Sequence, residues 1–205
     1  MGLRGRPGVQ RHRAAVVDGL IAPDETNLPP ADPQLREAAV LVPVYRDDAG
    51  ELRLVLLVRS NFGVHGGQLA FPGGKQDPTD TSLLDTALRE AEEEVYLPRE
   101  AVQVLAELPV ISTLTTGYRV TPYLGRISRP AVWRWLEREV TEVLEVSVAE
   151  LLDPARHATE DWQLDGWPRS APVSFIRIGE HKLWGLSYRI VRQLLPRLTA
   201  GEWAV

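Results

Sequence analysis

The stretch that decides the fold lies between residues 71 and 97. It opens with Phe71-Pro72-Gly73-Gly74-Lys75, crosses a polar loop, and continues as SLLDTALREAEEEVYL over residues 82–97. Ser82, with Asp85 three residues on, has the spacing of a capping box, in which the serine hydroxyl takes an orphan N–H of the first helical turn. Leu84, Leu88, Ala91 and Val95 recur at steps of three and four and form one apolar stripe. At about 100° per residue, Glu90, Glu93 and Glu94 fall together on another face, while Glu92 falls away. The spacing predicts a helix over 82–96, anchored by one stripe and carrying three convergent carboxylates.

Such a cluster is costly. Like charges at i, i+4 repel by a few tenths of a kcal/mol per pair, roughly. Carboxylates near a helix C-terminus oppose the macrodipole by about 0.3–1 kcal/mol each. A bound divalent cation reverses that penalty, and oxygen ligands alone point to Mg²⁺, Mn²⁺ or Ca²⁺. An isolated acidic run is ordinarily a solvated face. Here a double glycine precedes it, which lets backbone approach a ligand or metal closely. Arg89 is long enough to orient a neighbouring carboxylate through a bidentate pair. Each feature alone is a turn or a surface ion pair. Their order is what carries the argument: glycines, loop, capped helix, Arg-Glu, paired glutamates.

Outward from this segment, residues 38–45 and 52–59 are rich in valine and leucine and read as strands flanking a hairpin turn at 47–50. Residues 68–71 read as a short strand ended by Pro72-Gly73-Gly74. Residues 102–114, 118–127, 140–146 and 173–178 are strand-like, 148–152 a short helix, and 185–198 a longer one. Strands surrounding one strongly marked helix, with a second helix at the end, imply an α+β fold, a mixed-sheet sandwich flanked by helices. Residues 1–35 read as an N-terminal arm, with a short helix near 13–20, and a linker carrying Pro23, Pro29, Pro30 and Pro33. The domain proper then spans 36–205.

Bulk properties fit one soluble domain. The chain has 205 residues, 44% of them apolar and 25% charged. A net charge of −5 argues against a general nucleic-acid binder. No cysteine occurs, which excludes thiolate nucleophiles and cysteine-based zinc sites. No apolar run approaches the length of a membrane helix, about 20 residues. The basic start (Arg4, Arg6, Arg11, Arg13) is not followed by a secretory apolar core, so a cytoplasmic location is expected.

At residues 74–97 the sequence resembles the Nudix hydrolases. That family's motif opens on a glycine, here Gly74, and closes on Arg-Glu-apolar-x-Glu-Glu, here Arg89-Glu90-Ala91-Glu92-Glu93-Glu94. Gly74 lies one position further from Arg89 than the motif has it. The motif's first glutamate falls on Thr81, beside Asp80, and its late glycine on Tyr96, a change expected to alter the helix exit but not the chemistry. Gly74-Lys75 with Asp77-Pro78, then Thr86-Ala87-Leu88-Arg89-Glu90, resembles the coenzyme A pyrophosphatase subfamily. So do Val55-Leu56-Leu57-Val58-Arg59-Ser60, Thr116-Gly117-Tyr118, and Trp184-Gly185-Leu186. The upstream signature's central arginine falls on Val64, with His65 the nearest polar residue.

The resemblance implies a Nudix fold and metal-dependent hydrolysis of a diphosphate. The substrate implied is coenzyme A, giving 3′,5′-ADP and 4′-phosphopantetheine. Another nucleoside diphosphate derivative such as ADP-ribose, or a non-catalytic nucleotide sensor, stands as the alternative. It implies Mg²⁺ or Mn²⁺ on Glu90 and Glu94, with Glu93 and a Gly74 carbonyl as further ligands, and Arg89 orienting the carboxylates. Arg59, Lys75 and His65 are the candidates for holding substrate. Glu139 and Glu93 are rival general bases, to be separated by which lies within reach of the attacking water. Trp133, Trp135, Trp162, Trp167 and Trp184 read as packing or rim. The arm at 1–35 leaves a homodimer open.

Overall fold

The computed structural model describes residues 35–60, 67–113, 117–163 and 169–205; the arm at 1–34, His65, Val64, Thr116 and Trp167 lie outside them. Strands β1 (Arg36–Arg46), β2 (Leu52–Arg59), β3 (Leu69–Ala70) and β4 (Gly73–Lys75) precede helix α1 (Leu83–Val95). Then follow β5 (Val102–Glu107), β6 (Ile111–Thr113), β7 (Tyr118–Ile127), β8 (Val140–Ser147) and the short helix α2 (Val148–Leu152). Strands β9 (His157–Trp162), β10 (Ala171–Ile178) and β11 (His181–Leu183) lead to helix α3 (Gly185–Thr199). This is the expected mixed α+β sandwich. None of these helices is long and apolar enough to cross a membrane.

Strand β1 is the spine. It runs parallel to β7, and antiparallel to β2 at one end and to β4 at the other. Both its faces are covered, so it reads as a continuous apolar run. Ala38, Val40, Val42 and Val44 face a core that includes Ile190, Val191 and Leu194 of α3. Ala39, Leu41 and Tyr45 face a second core built on Ala87, Ala91 and Val95 of α1. Strand β2 alternates likewise, with Leu54, Leu56 and Val58 on the first side and Val55 and Leu57 on the other. A second sheet, β11-β10-β9, is wholly antiparallel. There Trp162 stacks on Phe175 at 5.6 Å and meets Trp184 edge-on at 5.2 Å.

Three expectations need correcting. The strand over 102–114 is broken into β5 and β6, because Pro109 offers no N–H to a ladder. Gly73-Gly74 does not end strand structure but forms β4, paired with β1 in the register Ala39↔Gly74. On α1, Ala87, Ala91 and Val95 carry the fully buried stripe, with Leu84 and Leu88 only partly covered.

The exit of α1 also differs from expectation. Tyr96 adopts the left-handed conformation (φ 51°, ψ 34°), and its N–H and that of Leu97 both bond the Ala91 carbonyl. The glycine-type helix ending is therefore kept, and a tyrosine bears its steric cost, about 1 kcal/mol. Arg134 lies 5.1 Å over the exposed ring.

Candidate active site

Local chemistry positions the carboxylate helix. Ser82 caps α1 by accepting the Asp85 N–H at 3.1 Å, and Asp85 in turn accepts the Thr81 N–H at 2.9 Å. The loop before the helix is pinned by Arg89. Its Nε and Nη2 donate to the two carboxylate oxygens of Asp80 at 2.8 and 3.0 Å, a bidentate pair. The Asp80 side chain is only 2% exposed and also accepts the Thr86 hydroxyl. The Arg89 hydrogen bonds hold its carboxyl well below the usual carboxylate range. The same guanidinium donates to Glu90 at 3.0 Å, to Glu93 at 3.2 Å and to the Lys75 carbonyl at 3.2 Å. One arginine thus ties the glycine loop to the acidic face. Asp80 completes that tie; the motif's first glutamate falls on Thr81, and it is the neighbouring Asp80 that makes the contact.

The glutamates do not share one environment. Glu94 is buried at 3% exposure, accepts the Gly73 N–H at 3.0 Å and faces Arg59 at 3.9 Å. Burial pushes its carboxyl up to about 7. Glu90 is 16% exposed and is likewise raised, burial being the main cause. A Cβ on Gly74 would land on the Glu90 carboxylate, and one on Gly73 would strike the Ala39 carbonyl and Val40. Gly74 is therefore a steric requirement of seating Glu90 against β4, and Gly73 one of pairing β4 with β1. Glu93 sits at the rim, 55% exposed, on Arg89. No three acidic or histidine side chains of the described residues converge on one point as they stand.

Glu139 acts on the same pair through its charge, while its carboxylate accepts from Arg138 Nε at 2.9 Å. Its charge helps to raise both Glu90 and Glu94, which places it in their electrostatic neighbourhood. Strand pairing puts it there. The β2–β8 register slips between Val58 and Arg59, as at a bulge, which re-aims the residues beside it. Buried Ser60, the next residue, then donates its N–H to the Glu139 carbonyl at 2.8 Å and its hydroxyl to the Arg138 carbonyl at 2.7 Å. Leu136 donates its N–H to the Glu94 carbonyl at 2.9 Å, latching this segment onto α1. Trp133 packs against the α1-side core and donates to Glu145 at 2.7 Å, the role of a structural residue.

Beside Gly73 and Gly74 opens a cleft of about 420 Å³. Arg59, Gln68 and Lys75 line it on the loop side, and Trp184 to Ser187 line it where α3 begins. Its floor is apolar, with Val40, Val120, Leu186 and Ile190.

Desolvated carboxylates beside a glycine strand, next to a cleft bearing cations, suit the hydrolysis of a phosphoanhydride with a divalent metal. Comparison with known proteins identifies the family. Residues 35–167 match the NUDIX domain model. The chain is 40% identical over 160 residues to an uncharacterized Nudix hydrolase, NudL, of Escherichia coli, covering 78% of this chain and 81% of that one. Among solved structures it resembles the Nudix hydrolase RenU of M. smegmatis (TM-score 0.56, 18% identity, 84% of this chain and 90% of that one). It also resembles the NUDIX domain of Shewanella oneidensis NrtR in complex with ADP ribose (TM-score 0.52, 18% identity, 82% and 90%). The chain belongs to the Nudix hydrolase family. Its class of reaction is accordingly the hydrolysis of a nucleoside diphosphate derivative, in a family that generally works with Mg²⁺ or Mn²⁺.

Proposed function

We propose that this enzyme cleaves coenzyme A to 3′,5′-ADP and 4′-phosphopantetheine. The observation that carries the reading is the seating of Glu90 and Glu94 against Gly73-Gly74 at the mouth of a cleft that also presents Arg59 and Lys75. The choice of coenzyme A rests on the likeness of residues 55–60, 74–90 and 184–186 to the coenzyme A pyrophosphatases.

Glu90 and Glu94 are the groups fitted to hold a divalent ion. Two desolvated carboxylates, raised by burial and by neighbouring glutamates, gain most from a cation. The Gly74 carbonyl and Glu93 are the further donors. The metal, when bound, neutralises the diphosphate and lowers the pKa of the attacking water. Arg59 and Lys75 bind the phosphates from the cleft side. Glu139 accepts the proton of the water as its oxygen bonds to phosphorus, and the bridging P–O bond breaks with its electron pair on the departing phosphate. Glu139 is favoured over Glu93 because its charge bears on both Glu90 and Glu94; each candidate is paired with an arginine, Glu139 with Arg138 at 2.9 Å and Glu93 with Arg89 at 3.2 Å. Arg89 is a positioning residue, acting through Asp80 and Glu90.

The test is purified protein against coenzyme A, ADP-ribose, NADH and diadenosine polyphosphates, with Mg²⁺, Mn²⁺ or EDTA, with products separated by chromatography. The expected result is 3′,5′-ADP and phosphopantetheine, formed only with metal. Cleavage of ADP-ribose with coenzyme A intact would overturn the substrate. Nucleotide binding without turnover of any compound would instead make the chain a sensor.

A further inference from the structure

Residues 128–139, between β7 and β8, belong to no strand or helix and meet the C-terminal end of α1 as a strap. Backbone holds it at two points: Ser128 donates its N–H to the Ala101 carbonyl at 3.0 Å, and Leu136 to that of Glu94 at 2.9 Å. Between them, among the described residues, no backbone–backbone bond holds 129–135. Side chains hold this stretch instead, and two of them converge on one carboxylate. The two oxygens of Glu145, on β8, accept Arg129 Nε at 2.6 Å and Nη2 at 2.9 Å, a bidentate pair. The first of those oxygens also accepts Trp133 Nε1 at 2.7 Å. Buried Tyr45 adjoins the cluster, its ring 6.0 Å from the Arg129 guanidinium carbon. Its hydroxyl is pushed up to about 12, by burial first and by Glu145 second. Glu145 is nevertheless far from the reacting groups. It stands opposite Val55 on β2, and Ser60, which grips the Glu139 end of the strap, lies about 17 Å further along at about 3.4 Å per residue.

We infer that Glu145 is a positioning residue for the reaction, fastening the strap that sets Glu139 beside Glu90 and Glu94. The inference rests on the proposed role of Glu139 as the base. A carboxylate is needed at 145, because an amide has one acceptor oxygen where the two donor side chains here use two. With the strap unfastened, Leu136 and Glu139 are free to sample several positions over α1. The fraction of molecules that hold the base within reach of the attacking water then falls.

The test pairs Glu145→Gln with Trp133→Phe, which keeps an aromatic ring against the α1-side core and removes the indole N–H. Amide hydrogen exchange needs no turnover. It should accelerate at least about tenfold at Leu136 in both variants. It should stay unchanged at Leu41, whose N–H bonds the Pro72 carbonyl within the core. With coenzyme A and Mg²⁺, or with ADP-ribose if that is the compound cut, kcat should fall about tenfold while KM stays within about twofold. Each loss should shrink to less than about twofold in a Glu139→Gln background, because changes acting through one group do not add. Unchanged exchange at Leu136, equal acceleration at Leu41, or a full tenfold loss on top of an already impaired Glu139→Gln overturns the positioning role. Near-normal kcat in Glu139→Gln is the separate failure of the proposed base, and faster exchange at Leu136 then still supports Glu145 as the fastening of the strap.

Discussion

The two long helices sit on opposite faces of one sheet and break opposite rules of helix chemistry. Helix α1 starts correctly, on the Ser82 cap, and ends badly, with Glu90, Glu93 and Glu94 massed toward its negative pole. Helix α3 carries Pro196 and Arg197 in its last turn and starts without a side-chain cap. Each defect lies toward the cleft or its mouth. Surplus anionic oxygen at the end of α1 suits the divalent cation of the proposed reaction.

The largest effect expected on this contrast comes from neutralising the defect of α1. Glu94 has its carboxyl raised from 4.5 to about 7 in the folded chain. For an acid so shifted, the stability of the metal-free protein is fully present below about 4.5 and is lost as pH rises through about 7. The loss amounts to up to about 3 kcal/mol. Melting in EDTA from pH 4.5 to 8 should show this decline. Glu94→Gln should flatten it and melt higher than wild type at pH 8, while Mg²⁺ should stabilise only the wild type. A flat wild-type profile would remove the strain argument.

Glu90→Gln should lower turnover at least about 100-fold, about 2.7 kcal/mol in the barrier, without unfolding the chain. Near-normal kcat in that variant would sink the metal assignment. Smaller is Ser60→Ala, which removes one of the bonds fixing the segment that carries Glu139. We expect kcat to fall about tenfold with KM little changed. A rise in KM alone would assign Ser60 to substrate binding. Smallest is Tyr96→Gly. Relief of the left-handed strain, less the lost Arg134 contact, should stabilise the protein by about 0.5–1 kcal/mol, read from chemical denaturation. Destabilisation would mean that the helix exit depends on the tyrosine ring.

What sequence revealed and what it hid divide along physical lines. Ser82, the helix of α1, and strands β1, β2, β7 and β8 were legible because caps and apolar periodicity are local. The broken strand at Pro109 was equally local and was overlooked. Strand β4 was illegible, since Gly73-Gly74 has no strand propensity and pairs only because β1 offers an edge too tight for any side chain. Asp80 was hidden because its partnership with Arg89 depends on how the loop folds back. Ser60 was visible as part of a motif, but its grip on Arg138 and Glu139 exists only once β2 and β8 have paired. The different standing of Glu93 and Glu94 is likewise tertiary, because a helical wheel places them on one face while the sheet covers only one of them.

The parallel pairing of β1 with β7 has a consequence for how the chain comes into being. Arg36 meets Tyr118 and Val44 meets Arg126, so the central strand finds its main neighbour only after α1, β5 and β6 have been made. Closing so long a loop costs entropy that no earlier contact of β1 repays in full. During synthesis the N-terminal half emerges with a twofold apolar strand still waiting for its partner. Folding should therefore be late, cooperative and slow, and a fragment ending before Tyr118 should not hold the carboxylates in place at all.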